Sequence, residues 1–173
     1  IDRILRDQVC FKLGPFELFD LTALDVSHPV IEAIYHQYYE EPRYRPNVIT
    51  AQRLAGGVVG KKVGEGFYKY DKSGKQIKPE GEAYNKPLQE IADRLVLRML
   101  NEAFACLREG VVANGDLLDA GMVYGTGFAP FRGGPIHYAK SQGIQELYQQ
   151  FVMQQQARGG KTNKIQTWDT TAA

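Results

Sequence analysis

The sequence contains few of the residues that most often build reactive centres. Among its 173 residues are two cysteines, Cys10 and Cys106, and three histidines, His28, His36 and His137. Two cysteines exclude a disulfide framework and a cysteine-rich zinc site. No apolar run approaches the ~20 residues that a membrane-spanning helix needs. No basic segment followed by an apolar one opens the chain, so no secretory signal is predicted.

An excess of one charge is also missing. The chain has 21 Lys and Arg against 20 Asp and Glu, for a net charge of +1. This balance argues against nucleic acid or an anionic membrane as a partner. Hydrophobic residues make up 43% of the chain, which argues against wholesale disorder and predicts a compact protein of one domain, or two small ones.

Nucleotide-binding loops are absent despite 18 glycines. Gly64-Glu65-Gly66 and Gly125-Thr126-Gly127 each supply half of the dinucleotide motif, but Lys69 and Pro130 stand where the third glycine belongs. Phosphate loops of the Walker type fail as well, because the first glycine is missing before Gly60 and before Gly160. We interpret these glycines as turns and predict no nucleotide site within the chain.

The polar residues suggest no catalytic centre or metal site. The histidines have no neighbouring nucleophile and no metal-ligand spacing, so packing or surface roles are favoured. Asp20 and Asp25 could form an acid pair, although Asp25 also suits the turn before Ser27. Four tyrosines are consistent with either core packing or a protein interface: Tyr35, Tyr38, Tyr39 and Tyr44.

Apolar spacing predicts a mainly helical, all-α fold. Proline starts helices at Pro15 and Pro135, and Ser27 and Asp116 are expected to cap two others. The clearest helix follows residue 87, where apolar residues recur every three or four positions. A short strand or an extended arm is predicted over Gly66–Tyr70, with a polar linker after it. The tail after residue 153 has little to bury.

Two stretches about 120 residues apart follow the same pattern. In the first, Ile1-Asp2 is followed by Phe11 and Gly14-Pro15; in the second, Leu118-Asp119 is followed by Phe128 and Gly134-Pro135. A long helix precedes the second stretch, and nothing precedes the first. We therefore expect a domain-scale duplication whose first copy lacks its opening helix, which makes the chain a piece of a longer protein.

Several motifs, in the same order, resemble the C-terminal region of 3-hydroxyacyl-CoA dehydrogenases, as found in multifunctional fatty-acid β-oxidation enzymes. The first is Gly14-Pro15-Phe16-Glu17-Leu18-Phe19-Asp20 with Ala23-Leu24-Asp25-Val26. Lys61–Tyr70 is similar to the end of the same module. Asn101-Glu102-Ala103 and Gly125–Pro135 resemble a second copy. The resemblance covers about residues 1 to 150.

The resemblance implies tandem helical modules similar to the C-terminal domain of 6-phosphogluconate dehydrogenase. It implies a first module over 1–86 that lacks its first helix, a second over 87–153, and a loosely held tail over 154–173. An upstream Rossmann domain would bind NAD and supply the catalytic His–Glu pair, so no catalytic or cofactor-binding residue is expected here. The parent would oxidise (3S)-3-hydroxyacyl-CoA to 3-ketoacyl-CoA.

The resemblance also implies a substrate-binding segment formed by Phe11, Lys12, Leu13, Gly14 and Pro15, which align with the acyl–pantetheine end of the cleft. Two positions depart from the family pattern: Cys10 replaces Gly and Lys12 replaces Pro. The second module would be structural, with Asp93 near the place of the substrate-binding Asn of the first.

Other functions stay open at this stage. The chain could be a non-catalytic acyl-CoA-binding scaffold or a helical dimerisation module. Its expected partners are the acyl-CoA substrates, its own upstream Rossmann domain and a second copy of itself. The ending Thr171-Ala172-Ala173 lacks a peroxisomal signal, which favours a bacterial cytoplasm, with a mitochondrion as the alternative.

Overall fold

A computed structural model of the chain describes residues 1–77, 88–157 and 168, with only the backbone of Arg43. The predicted all-α class is confirmed. The helices are α1 (Asp2–Asp7), α2 (Pro15–Thr22), α3 (Leu24–Gln37), α4 (Val48–Ala55), α5 (Leu88–Arg108), α6 (Gly115–Thr126), α7 (Pro135–Gln142) and α8 (Ile144–Gln156). Short 3-10 turns cover Pro42–Tyr44, Lys61–Val63 and Pro130–Arg132.

Two helices begin earlier than the sequence predicted. α3 begins at Leu24 and not after Ser27, and Pro29 lies inside it. The Ser27 hydroxyl donates to the carbonyl of Ala23 instead of capping the helix. α6 begins at Gly115, because the Asn114 side chain accepts the amide of Leu117. The expectation of caps at Ser27 and Asp116 is therefore wrong.

The predicted strand pairs with a second strand, which lies in the segment that was expected to be a linker. β1 (Lys69–Tyr70) and β2 (Gln76–Ile77) form a two-stranded antiparallel hairpin. The Asp71 carboxylate closes its turn by accepting the hydroxyl of Ser73 and the amides of Ser73 and Lys75. These hydrogen bonds, the one from the hydroxyl above all, lower the pKa of Asp71. The rest of the expected linker lies outside the described residues.

The chain divides into two compact units, which we describe separately. The N-terminal unit comprises Asp2 and the described part of Leu13–Lys86. The C-terminal unit comprises Ile1, Arg3–Lys12 and the described part of Pro87–Ala173. Residues 3–12, which the sequence assigned to the first module, therefore group with the C-terminal unit. The module boundaries themselves stay a prediction.

The C-terminal unit has a core organised around α5. Leu97, Leu100 and Phe104 of this helix are almost fully buried, together with Ile136 of α7 and Phe151 of α8. Burying a large apolar side chain contributes about 1.5–3 kcal/mol, so these residues account for much of the unit's stability. The long apolar stripe that the sequence showed after residue 87 is the reason this helix is central.

Trp168 departs from the expected tail. Its ring stacks on Phe104 at 4.9 Å between centroids, its indole Nε1 donates to Asn101 Oδ1 at 3.3 Å, and the residue is 5% exposed. The prediction of a tail with little to bury is wrong at this position. The other residues after 157 lie outside those described.

Within the part of the chain that the structure describes, no helix combines the length and the apolar character that a membrane span requires.

Candidate functional site

The turn that enters α2 is held by a carboxylate. Asp2 accepts the amides of Phe16 and Glu17 at 3.0 and 2.9 Å, and the hydroxyl of Tyr68 at 2.8 Å. A carboxylate at this position satisfies free amides and interacts favourably with the positive end of the helix. A Cβ on Gly14 would lie 2.2 Å from the Asp2 Cβ, so only glycine fits beside this cap.

The turn that enters α7 in the C-terminal unit has the same design. Asp119 accepts the amides of Ile136 and His137 at 2.7 and 2.9 Å. A Cβ on Gly134 would lie 2.4 Å from the Asp119 Cβ. Burial raises the pKa of Asp119, and the two amides act in the opposite direction. Asp2 and Asp119 therefore perform the same task about 120 residues apart.

The similarity extends beyond the two caps. α7 and α8 begin about 120 residues after α2 and α3, and α2 and α7 have the same length. The amide of Phe11 bonds back to Leu5, and the amide of Phe128 bonds back to Met122. Left-handed φ angles also recur, at Cys10 (66°) and Gly127 (74°), and at Ala23 (68°) and Gly143 (88°). Two copies of one backbone plan are therefore present.

A second carboxylate organises the N-terminal unit. Asp20 is fully buried and accepts the amides of Phe67 and Tyr68 at 2.7 and 2.9 Å, and the hydroxyl of Tyr70 at 2.9 Å. Burial and the neighbouring Asp20 charge raise the pKa of Tyr70. A Cβ on Gly66 would lie 2.1 Å from Asp20 Oδ1. We call residues 60–70, which this carboxylate holds, the glycine arm.

The glycine arm does not fit a dinucleotide. Its Gly64-Glu65-Gly66 stretch packs against Asp20 and precedes no α-helix, whereas a pyrophosphate site needs the start of one. The second half-motif, Gly125-Thr126-Gly127, lies at the carboxyl end of α6, where the helix dipole repels anions. Neither glycine stretch therefore fits a dinucleotide.

The five predicted substrate-binding residues lie in different environments. Phe11 and Lys12 belong to the C-terminal unit, where the Phe11 ring meets Phe128 edge to face at 5.6 Å and Lys12 is exposed. Leu13, Gly14 and Pro15 belong to the N-terminal unit. Leu13 is 40% exposed, and Gly14 is buried beneath the Asp2 cap. Only Lys12 and Leu13 of the five are exposed.

Asp93 lines a cavity of about 150 Å³ in the C-terminal unit. Its carboxylate accepts Gln89 Nε2 at 2.6 Å and Gln150 Nε2 at 3.2 Å. In the same cavity, Arg132 Nε and Gln8 Oε1 are buried and lack a hydrogen-bond partner among the described residues. Buried polar atoms of this kind are usually satisfied by water, and the volume suits a few water molecules rather than an acyl-CoA.

The remaining polar candidates are separate from one another. Asp20 is buried in the N-terminal unit, whereas Asp25 is exposed and pairs with Lys62, which lowers the pKa of Asp25. The two do not share a partner, so nothing in the geometry supports an acid pair. Among the described residues, no group of histidine, cysteine and carboxylate side chains could hold a metal ion.

The histidines and tyrosines have local contacts. His28 is buried with its Nδ1 at 3.0 Å from Thr50 Oγ1, and His36 lies 3.8 Å from the Glu40 carboxylate on the surface. Tyr38 is 56% and Tyr39 95% exposed, so neither packs in the core.

Sequence reasoning did not identify the two helix caps or the role of Asp20. A signal was present for the caps, because Asp2 precedes Gly14-Pro15 by a stretch similar to the one that separates Asp119 from Gly134-Pro135. Nothing in the local sequence indicates that Asp20 reaches the glycine arm, since its partners lie 47 to 50 residues away.

Residues 1–70 match the family described as "3-hydroxyacyl-CoA dehydrogenase, C-terminal domain". Curated relatives include proteins named "Fatty acid oxidation complex subunit alpha". The one from Shewanella baltica is 33% identical over 150 residues, with 79% of this chain and 20% of the relative covered. The one from Shewanella oneidensis is 30% identical over 175 residues, with 94% and 24% covered.

Solved structures share the fold. A 3-hydroxybutyryl-CoA dehydrogenase from Escherichia coli matches with a TM-score of 0.72 at 19% identity, over 98% of this chain and 52% of that one. The dehydrogenase part of multifunctional enzyme 1 from C. elegans matches with a TM-score of 0.52 at 24% identity, over 69% and 29%. This chain spans about a fifth of the length of the curated relatives that it matches.

Proposed function

We propose that the chain, whose residues 1–70 match the C-terminal domain of the 3-hydroxyacyl-CoA dehydrogenase family, is the C-terminal region of such an enzyme. The parent would oxidise a (3S)-3-hydroxyacyl-CoA to the 3-ketoacyl-CoA in fatty-acid β-oxidation. NAD would take the hydride, and an upstream domain would bind NAD and receive the hydroxyl proton. The observation that carries this proposal is the family match over the segment that includes both the Asp2 cap and the glycine arm.

The chain's own contribution would be a wall for the substrate. Lys12 and Leu13 are exposed on the segment that precedes the capped α2, where an apolar side chain suits a fatty-acyl or pantetheine group and a lysine suits a phosphate of CoA. Phe11, Gly14 and Pro15 would act by holding this segment. The Asp2 cap makes the turn rigid, because it fixes two amides and excludes any side chain at position 14.

We also propose that the two backbone copies are tandem modules and that the first is incomplete. In the C-terminal unit, α5 buries Ile136 of α7 and Phe151 of α8 to 1% exposure each. The matching residues of the N-terminal unit, Phe16 and Ile31, are only half-buried. A helix equivalent to α5 would cover them, and the parent would carry it ahead of residue 1.

The bacterial relatives support a bacterial protein, and we propose the cytoplasm as its location. The partners would be acyl-CoA substrates and the parent's own NAD-binding domain. A non-catalytic scaffold is the alternative. The exposed apolar stripe of Val26, Val30 and Ile34 on α3 would then serve as its interface.

Oxidation of NADH by acetoacetyl-CoA tests the proposal. The isolated chain is expected to show no oxidation of NADH, whereas the parent protein encoded by the same gene is expected to catalyse it. Turnover by the isolated chain would mean that it holds a complete active site. If the folded parent also fails to oxidise NADH, the dehydrogenase assignment is overturned and the non-catalytic scaffold is favoured.

The proposed wall is tested in the active parent with matched exposed residues. Leu13→Asp is expected to raise KM for acetoacetyl-CoA by about tenfold with little change in kcat, because it weakens binding rather than chemistry. Leu21→Asp, at a leucine that is 60% exposed on α2, is the control and should leave KM unchanged. The KM of Lys12→Ala is compared in the same way with the KM of its control, Lys72→Ala. Equal changes in KM at positions 13 and 21 would show that Leu13 is not part of the substrate site.

A further inference from the structure

Two tyrosines of the glycine arm each donate a hydroxyl to a buried carboxylate of the N-terminal unit. The Tyr70 hydroxyl donates to Asp20 at 2.9 Å, and the Tyr68 hydroxyl donates to Asp2, the cap of α2, at 2.8 Å. The backbone amide of Tyr68 also donates to Asp20, at 2.9 Å. Tyr68 therefore bonds to both carboxylates and connects the arm with the start of α2, whereas Tyr70 bonds to Asp20 alone.

The Tyr68 hydroxyl is an addition to the cap and not a part of its shared plan. Asp119 caps α7 through two amides, and among the described residues no hydroxyl donates to it. Asp2 accepts two amides in the same way and has the Tyr68 hydroxyl as a third donor. A hydrogen bond to a carboxylate is about twice as strong as one between neutral groups. The reinforced cap is the one that lies beside the proposed substrate wall.

The Asp2 cap determines where Leu13 of that wall lies. A Cβ on Gly14 would lie 2.2 Å from the Asp2 Cβ, and the Gly14 amide donates to Glu17 Oε2 at 3.0 Å. The Gly14 carbonyl accepts the amide of Leu18 at 2.9 Å. Gly14 is thus fixed on both sides and directly beneath the cap. Leu13, which precedes it and is 40% exposed, follows any movement of the cap.

The arm that carries the Tyr68 hydroxyl is itself firmly held. Asp20 accepts the amides of Phe67 and Tyr68, and it is fully buried. Arg53 of α4 donates to the carbonyl of Gly66, and its guanidinium lies 4.6 Å from the centre of the Phe67 ring. A group that orients a binding residue needs a rigid support of this kind.

We propose that Tyr68 is a positioning residue of the substrate wall, and that its hydroxyl fixes Leu13 through the Asp2 cap. This inference rests on the proposed function, because that function assigns Leu13 to the wall. Without the hydroxyl, a carboxylate that is 2% exposed loses one of its three donors, and the first turn of α2 gains freedom to shift. A small displacement of Leu13 would weaken its contact with the acyl-CoA.

Hydrogen exchange in this chain tests the link between the arm and the cap. Tyr68→Phe and Tyr70→Phe are matched, because each keeps the ring and removes one hydroxyl from a buried carboxylate. Exchange of the Phe16 and Glu17 amides is expected to become about tenfold faster in Tyr68→Phe and to stay unchanged in Tyr70→Phe. Equal exchange rates of these two amides in the two variants would overturn the inference.

Steady-state kinetics of the parent protein test the role in binding. Tyr68→Phe is expected to raise KM for acetoacetyl-CoA about threefold with little change in kcat, because it disturbs binding and not chemistry. Tyr70→Phe should leave both KM and kcat unchanged. A general loss of stability would affect the two variants alike, so an equal rise in KM in both would contradict a positioning role for Tyr68.

A double-mutant cycle with Leu13→Ala tests whether Tyr68 acts through Leu13. In the Leu13→Ala background Tyr68→Phe is expected to have no further effect on KM, since the side chain that it positions is gone. The same rise in KM in both backgrounds would show that Tyr68 acts elsewhere, and would overturn the inference. A parent without activity rejects the proposed function and the wall with it. An active parent whose KM is unchanged by Tyr68→Phe rejects this inference alone.

Discussion

The α2–α3 pair and the α7–α8 pair begin from the same plan and complete their cores with different partners. Each pair starts at a Gly-Pro turn beneath a carboxylate that accepts two amides. In the C-terminal unit α5 then covers the pair. In the N-terminal unit Phe67 of the glycine arm packs on Phe16 and Phe19, with centroids 4.5 and 5.9 Å away.

The position of Asp20 illustrates the difference. Its counterpart about 120 residues later is Lys140, which is exposed. Only the copy with the glycine arm therefore carries the carboxylate that anchors it. The comparison teaches that the cap belongs to the shared plan, whereas the carboxylate that holds the glycine arm has no acidic counterpart at position 140.

The largest expected effect is at Asp20. Asp20→Ala leaves two buried amides and the Tyr70 hydroxyl without their acceptor, and should lower the free energy of unfolding of the N-terminal unit by about 4 kcal/mol. Lys140→Ala at the matching position should change stability by no more than ~0.5 kcal/mol. Urea denaturation followed by circular dichroism measures both. Similar losses at the two positions would contradict the distinction.

The two carboxylates that cap α2 and α7 are expected to have the next largest effects on the free energy of unfolding. Asp2→Ala should lower the free energy of unfolding by about 3 kcal/mol, and Asp119→Ala should lower it by about 2 kcal/mol. The loss at Asp2 is larger because Asp2 accepts the Tyr68 hydroxyl in addition to two amides. In a Tyr68→Phe background the two losses should become equal when measured by the same denaturation. A difference that persists there would show that the hydroxyl is not its cause.

An alkaline titration distinguishes the units in another way. The pKa of Tyr70 is raised above its ordinary value of 10.0 by burial and by Asp20, so the folded state holds this proton more strongly than the unfolded state. The resulting stabilisation is present below pH 10 and is lost as the pH rises above it. Tyr70→Phe should therefore weaken the loss of stability above pH 10. Tyr124→Phe, in the C-terminal unit at a residue 90% exposed, should leave that loss unchanged.

The smallest effects concern two glycines, one inside α6 and one at its carboxyl end. Gly127→Ala should destabilise by about 1 kcal/mol, because φ is 74° and no packing contact compensates. Gly121→Ala, inside α6 in open space, should stabilise by up to about 1 kcal/mol. Thermal melts of the two variants are expected to shift in opposite directions. Shifts in the same direction would mean that the φ difference does not control stability here.

Much of this fold follows from short-range patterns in the sequence. Pro15 and Pro135 marked the starts of α2 and α7, and the apolar spacing after residue 87 marked α5. The helix starts at Leu24 and Gly115 were missed, because their first turns are satisfied by groups other than the predicted caps. The two Gly-Pro pairs predicted the repeat.

The organising contacts of the candidate site could not be predicted in this way. Asp20 was considered as a partner for Asp25, close by in the sequence, whereas its partners lie in the glycine arm. Trp168 was assigned to a tail with little to bury, and its contact with Phe104 reaches far back along the chain. Such contacts depend on how the chain folds back on itself, which local patterns do not record.

Hydrogen exchange tests the central claim, that one backbone plan occurs twice and that, among the described residues, a long helix covers only one of the two copies. In the chain as it stands, amides in α7 and α8 are predicted to exchange at least about a hundredfold more slowly than those in α2 and α3. Adding the segment that we propose to precede residue 1 in the parent, with its counterpart of α5, is predicted to slow exchange in α2 and α3 and to narrow that difference in exchange rate. Equal protection of the two pairs in the chain alone, or a difference that the extension leaves unchanged, would contradict the account.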